Sequence, residues 1–479
     1  MPSSFQPIST PPSRREFLAR CGMGMGSLGL ASVLGDARVL ASAAEIDSTN
    51  PWIPRAPHFK AKARRVVHFF LNGGPSHVDT FDPKPALARY AGQPLPCEYL
   101  RTERRTGAAF PSPFRFERHG QSGLEISELF ARTAMHADDI AVIRSMYAHA
   151  PNHEPSLLLM NCGDSVQARP CVGAWVLYGL GTENQNLPGF VAMCPGGYPV
   201  KEAENWQSGF LPGIYQGAFI DPQHRDVDKL IENIRSPHAT AAIQRRQLDL
   251  LRVLNAEHRR ARADDSRLDA RVQSFELAFR MQMEATDAFD LSNEPESIRA
   301  LYGDHVHGRQ TLIARRLLER GVRFVQLWHG AGQPWDHHDN IEGNLRVHAA
   351  ELDRPIAALI CDLKQRGMFE DTLILWGGEF GRTPTVELNE AGASKQGRDH
   401  NHYGFSVWLA GGGIKGGTVH GATDEFGFRA VDKPTSVHDL HATLLHCLGL
   451  DHERLTYRHA GRDFRLTDVA GNVIHDVLA

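Results

Sequence analysis

The chain has little that would send it to a membrane interior, a nucleic acid or a cysteine-bound metal. No run of about eighteen apolar residues follows its first segment, so no transmembrane helix is expected. The formal net charge is −4 over 479 residues, so nothing suggests a nucleic-acid partner. None of the seven cysteines forms a CxxC pair, and that spacing argues against a cysteine zinc site. Cys162, Cys171 and Cys194 lie near enough in sequence for a disulfide to be considered, though pairing is not readable from spacing. No internal repeat or low-complexity tract is visible. Apolar residues make up 42% and charged residues 23%, ordinary for a soluble globular chain.

Histidine is abundant instead: 25 of 479 residues. It is the commonest metal ligand and the usual acid or base near neutral pH, so its clustering is the informative property. The N-terminus comes first. "SRREFL" places Arg14 and Arg15 before a weakly apolar Gly/Ala/Leu stretch, and "VLASAA" offers small residues at Ala41 and Ala43. Residues 1–43 therefore read as a twin-arginine signal peptide, against a merely basic N-terminus, and 44–60 as a linker.

From there, strands and helices alternate. "RRVVHFFLNGG" is an apolar strand broken by Gly73 and Gly74; Ile140–Arg144, "GFVAM", "GVRFVQLWH", "TLILWGG" and "FSVWLAGGG" are others. Residues 225–304 have helical spacing and read as a helical segment of two or three amphipathic helices. "HAAELDRPIAALICDLKQRG" is a helix that Pro355 should kink or delay. Continuous apolar strands between helices imply a mainly parallel sheet covered on both faces, with ligands outside the strands' carboxyl ends.

Acidic and histidine loops lie at those ends. Asp336 and His338 in "PWDHHDN" are close enough to meet one ion, and mixed oxygen and nitrogen donors suit zinc, manganese or iron. Glu379 sits between glycines in "WGGEFG", after a buried strand; the bland alternative is a turn carboxylate paired with Arg382. His400 and His402 alternate with Asn401, so an extended segment would turn both to one side, beside Asp399. Asp79 and Asp82 follow the first strand, where "DTFDPK" also reads as a turn. His153 in "APNHEPS" could be nucleophile, acid or base, ligand or helix start, and the helical His438, His441 and His446 read as packing or surface residues.

"SRREFL", "FFLNGGPSHVDTFDPKP", "WDHHDN", "LDRPIAALICDLKQRGMFEDTLILWGGEFGRTP" and "GRDHNHYGFSVWLAGGGIKGG" together resemble the bacterial domain of unknown function 1501 family, over nearly all the mature chain. That family is similar to the alkaline phosphatase and sulfatase superfamily. Glu379-Phe380-Gly381 then occupies the slot of a sulfatase Asp-Asn-Gly or Asp-His-Gly metal motif, and "TSVHDLHATLLHCLGL" resembles the closing helix. His153-Glu154-Pro155-Ser156-Leu157 stands where a sulfatase has Cys/Ser-x-Pro-x-Arg, so the formylglycine cysteine and its arginine are absent. Ser76 or Ser156 would have to replace a phosphatase hydroxyl.

The resemblance implies an α/β fold: an alkaline-phosphatase-like three-layer sandwich with a mainly parallel central sheet and a helical insertion, in one domain over 61–470. It implies one or two divalent ions (zinc, manganese, calcium or magnesium) held among Asp79, Asp336, His338, Glu379, Asp399, His400 and His402. His153 would act as nucleophile or base, and Arg382 would clamp an anionic oxygen. The expected function is metal-dependent hydrolysis of a small anionic ester, or of a sulfated or phosphorylated glycan, in the periplasm or outside the cell after passage through the twin-arginine machinery. The competing expectations are a non-catalytic metal-containing binding protein on the same fold and a secreted structural protein without metal.

Overall fold

A strand whose every residue is buried must be covered on both sides, because successive side chains point to opposite faces. Phe190–Met193, Phe324–Trp328, Thr372–Gly377 and Phe405–Gly411 are all buried along their whole length. The computed structural model describes residues 53–231, 239–260, 275–277, 279–280 and 287–479. The expected leader and most of the expected linker lie outside the described residues, as does part of the helical segment.

In chain order the strands used below are β1 (Arg65–Phe70), β2 (Thr106–Ala109), β3 (Ile140–Tyr147), β4 (Phe190–Met193), β5 (Ala218–Ile220), β6 (Phe324–Trp328), β7 (Thr372–Gly377), β8 (Gly381–Leu388), β9 (Ser394–Asn401), β10 (Phe405–Gly411), β11 (Thr418–His420) and β12 (Thr435–Ser436). The helices are α1 (His77–Thr80), α2 (His153–Cys162), α3 (Val306–Glu319), α4 (Ile341–Gln365) and α5 (Val437–Cys447). The main sheet has the order β11-β3-β10-β7-β1-β6-β4-β5, with β12 also on β3. Its pairs are parallel except the two made by β10, which runs against β3 and β7. The fold is thus a mixed α/β architecture around a large, mainly parallel sheet. β9, β8 and β2 form a separate antiparallel ribbon.

The chain divides into two compact units. One takes in 1–50 and 233–283, where the described residues include the helix Ala241–Arg260; the other takes in 51–232 and 284–479 and carries the sheet. No described helix is long and apolar enough to cross a membrane.

Two details depart from the sequence reading. α4 starts at Ile341, ahead of the expected His348, and runs through Pro355. Proline removes one helical N–H, and tertiary contact holds the turn around it: Asp353 accepts from Arg132 N (2.9 Å) and Thr133 N (2.7 Å). Cys162, Cys171 and Cys194 are free thiols, as are the other described cysteines. α5 lies within "TSVHDLHATLLHCLGL", as expected of a helix there, and a Ser436/Asp439 capping box opens it.

β7, β1 and β6 are adjacent and parallel, so their carboxyl ends, followed by Glu379, Asn72 and Asp336, open at one edge. Asn72 is fully buried and stitches two of these loops: its Nδ2 donates to Gly330 O (2.8 Å) and Gly332 O (2.6 Å). Gly73 follows at φ +114°, and a Cβ there would lie 2.5 Å from Asp336 N and 2.7 Å from Trp335 C. Backbone, not a flexible side chain, stands in the way. Gly73→Ala is therefore expected to cost about 2–3 kcal/mol in denaturant unfolding, from overpacking and left-handed strain together. A variant as stable as the parent would show that the loops are not held this closely.

Candidate metal centre

Three imidazoles are brought to one carboxylate oxygen. Asp336 Oδ1 lies 2.9 Å from His338 Nε2, 3.1 Å from His400 Nε2 and 3.3 Å from His153 Nε2. His153 opens α2, after β3; His338 and Asp336 come from the loop after β6; His400 comes from β9 of the ribbon.

In each imidazole the other ring nitrogen is already engaged. His153 Nδ1 donates to Glu379 Oε1 (2.8 Å). His400 Nδ1 donates to Pro151 O (2.8 Å), with Glu103 Oε2 at 2.7 Å. His338 Nδ1 donates to Glu387 Oε2, whose Oε1 accepts from Lys395 Nζ (2.6 Å). An imidazole that donates through Nδ1 keeps its Nε2 lone pair when neutral. Outer hydrogen bonds of this kind fix the tautomer and ring direction of histidine metal ligands.

Three such lone pairs beside a carboxylate oxygen need positive charge among them. Protons supply part of it. Burial opposes the charged form of His153, but the Asp336 and Glu379 carboxylates beside it outweigh burial and hold the pKa near 9. His338 is raised in the same way, against burial, by Asp336 and Glu387. Burial lowers His400 to about 3, so this ring stays neutral beside the others. Burial works against the Asp336 carboxylate too, and the three histidines with Arg382 still hold it far below the usual range.

The residues present also fit a cation. His153 Nε2, His338 Nε2, Glu379 Oε2 and Asp399 Oδ1 are buried and lack a hydrogen-bond partner. The two imidazole nitrogens stand at ion-pair distance from Asp336 without hydrogen-bond alignment. Unpaired buried polar atoms are rare and costly. Two overlapping donor sets, His153–Asp336–His400 and His338–Asp399–His400, each bring their atoms within 4.8 Å of one another. Nitrogen and oxygen donors at these spacings suit zinc or manganese better than calcium. Phe380 walls the centre, its ring 4.6 Å from His400 and 4.9 Å from His153.

The sequence-derived residues separate here. Asp336, His338, His400 and His153 come together around one oxygen; Asp399 joins His338 and His400 beside it, and Glu379 stands behind His153 on its Nδ1. Asp79 does not: both its oxygens face Arg398, at 2.8 and 3.1 Å, and both residues are fully buried. His402 does not either. β9 ends at Asn401, so the alternation that would align His402 with His400 stops, and the His402 ring packs on Tyr403 at 3.9 Å.

Arg382 is fully buried and every nitrogen of its guanidinium is engaged within the protein: Nε goes to Gly74 O (3.0 Å), Nη1 to Arg398 O (3.2 Å), and Nη2 to Gly73 O and Asp336 Oδ1 (2.6 Å). It positions the loops and Asp336 in place of the expected anion clamp. Ser76 Oγ donates to Asp79 (2.5 Å) and Ser156 Oγ to Ala150 O (2.7 Å), so neither hydroxyl stands free as a nucleophile. Glu387 and Glu103, which orient two of the rings, were not expected; nothing in "TPTVELNE" marks Glu387 apart from its charge. The cavity of about 610 Å³ lined by Arg225, Arg299, Arg309 and Arg354 shares no residue with this centre.

The sequence profile of the family described as "Protein of unknown function (DUF1501)" matches residues 63–478. No curated protein matches the chain. Similar solved structures include the PsFucS1 sulfatase from Pseudoalteromonas sp. (12% identity, 87% of this chain and 72% of that one, TM-score 0.34). Others are the alkaline phosphatase from the Antarctic bacterium TAB5 (11%, 73% and 92%, TM-score 0.32) and a phosphonate monoester hydrolase from Silicibacter pomeroyi (13%, 67% and 68%, TM-score 0.31).

Proposed function

The chain belongs to the DUF1501 family, whose description assigns no activity, and from the chemistry of its centre we propose an exported, metal-dependent hydrolase of phosphate or sulfate esters. The observation that carries this reading is the convergence of three Nε2 atoms on Asp336 Oδ1, each ring anchored through its Nδ1. A divalent cation held by Asp336, His338, His400 and His153, with Glu379 or Asp399 adjoining, supplies Lewis acidity to an anionic ester oxygen. The chain's own groups do the rest. Glu379, Glu387 and Pro151 O hold the three rings by their Nδ1 protons. Arg382 ties Asp336 to the β1 loop. Phe380 keeps water off one side. His153, anchored through Nδ1 with its Nε2 turned to Asp336, is better suited to hold the ion than to attack an ester. The twin-arginine pattern around Arg14 and Arg15 supports export with the centre already folded.

A second reading, a non-catalytic metal-containing binding protein, is favoured by one observation: neither Ser76 nor Ser156 offers a free hydroxyl. The two readings separate in one experiment. Mature protein is stripped with a chelator, reloaded singly with zinc, manganese, magnesium or calcium, and offered 4-nitrophenyl phosphate and 4-nitrophenyl sulfate. The hydrolase reading expects turnover that is lost on stripping and restored by one metal, and that falls at least about 100-fold in His400→Ala. Stoichiometric metal with no turnover of either ester class would leave the binding protein.

A further inference from the structure

A second cluster of the same kind lies elsewhere on the large unit. Glu351 Oε2 stands 2.9 Å from His329 Nε2, 3.3 Å from His348 Nδ1 and 4.0 Å from His307 Nε2. Donor atoms of His307, His329 and Glu351 all lie within 4.8 Å of one another. Three elements of the fold meet there. His329 follows β6 directly; His307 is in the first turn of α3; His348 and Glu351 lie three residues apart on α4, the spacing that puts them on one face.

Two features mark this as more than a histidine–glutamate pair. First, the His307 tautomer is set by the fold. Gln310 gives both amide protons to strand carbonyls, Met193 O (2.9 Å) and Trp328 O (3.0 Å), so its oxygen is the atom left to accept from His307 Nδ1 (3.1 Å). His307 Nε2, 4.0 Å from Glu351 Oε2, thereby keeps its lone pair when the ring is neutral. Second, His329 is only 5% exposed, so its Nε2 meets Glu351 Oε2 away from bulk solvent. Tetrahedral zinc with bonds of about 2.0 Å sets its ligand atoms roughly 3.3 Å apart; the two nitrogen-to-Glu351 separations, 2.9 and 4.0 Å, bracket that value, and the two nitrogens lie within 4.8 Å of each other. Glu351 is partly exposed, which leaves a way in from solvent.

We propose that His307 Nε2, His329 Nε2 and Glu351 Oε2 form a second binding site for a zinc-like divalent ion, with His348 beside its open position. Two histidines and one glutamate are a known way to hold zinc with a fourth position left over. The site is independent of the proposed hydrolase centre, with which it shares no ligand.

The test is metal content of dialysed, zinc-loaded mature protein, by plasma mass spectrometry and zinc titration, in the parent, Glu351→Gln, His307→Ala and His338→Ala. Glu351→Gln and His307→Ala are each expected to bind one equivalent fewer than the parent; His338→Ala is expected to keep that equivalent and lose the ion of the first centre. Cobalt substitution gives a second readout: the parent should show visible absorption of a four-coordinate ion that is missing in Glu351→Gln but present in His338→Ala. Circular dichroism confirms folding, and Glu351→Gln, at a partly exposed position, guards against loss through misfolding. Unchanged zinc stoichiometry and cobalt spectrum in folded Glu351→Gln would overturn the second site. Unchanged stoichiometry in His338→Ala would overturn the first centre instead.

Discussion

Asp336→Ala is expected to weaken zinc or manganese binding at the main centre by roughly 100-fold or more, beyond the 10- to 100-fold typical of removing an outer partner. The reason is geometric. Asp336 Oδ1 is the point at which three imidazole lone pairs meet, at 2.9, 3.1 and 3.3 Å. Without it the rings keep their Nδ1 anchors and lose the anion that gathers them. Arg382, whose Nη2 now lies 2.6 Å from that oxygen, would remain as an unbalanced positive charge in the centre and repel an incoming ion. Arg382 also keeps its carbonyl partners, so the variant should fold. Zinc titration of the stripped variant, beside its thermal unfolding, measures both. A folded Asp336→Ala that binds at parental affinity would remove Asp336 from the ligand set.

The largest effect on stability is expected at Arg398. Arg398 and Asp79 are both fully buried and paired through two hydrogen bonds, 2.8 and 3.1 Å, with Arg398 Nη1 on Thr383 O at 3.1 Å and the guanidinium 4.7 Å from the Phe110 ring centre. Breaking a buried pair from one side leaves a charge in low dielectric and costs about 3–5 kcal/mol, whereas replacing both partners by apolar side chains is often close to neutral. Arg398→Met should therefore lose about 3–5 kcal/mol in denaturant unfolding, and Asp79→Leu with Arg398→Met should recover much of it. A double variant as unstable as the sum of its singles would mean the two residues act separately.

The buried strands were legible because hydrophobic runs between glycines have few other uses: "TLILWGG" and "FSVWLAGGG" became central strands at the expected places. That β10 runs against its neighbours was not legible, since direction is written in no local pattern. The site divides along the same line. Asp336, Glu379 and His400 could be picked out because each lies in a short polar stretch next to an apolar run. Asp79 looked identical by that criterion; its fate depends on Arg398, 319 residues away. His402 failed through a strand that ends one residue too soon. His329 and Glu351 were invisible for a different reason: one closes a strand's apolar pattern and the other lies on a charged helix, where a glutamate reads as a solvated face.

The span of the main centre has a kinetic consequence. Its residues come from Gly73, His153, the 334–338 loop, Glu379 and the 398–400 strand end. No fragment shorter than most of the large unit contains them, and the contacts that join them close long loops, the slow class of folding event. A cation seated among them meets its full ligand set only after those loops have closed. Such an ion would have little to hold during the search and much to hold afterwards: it would lower the escape rate of the finished protein more than it would hasten its formation.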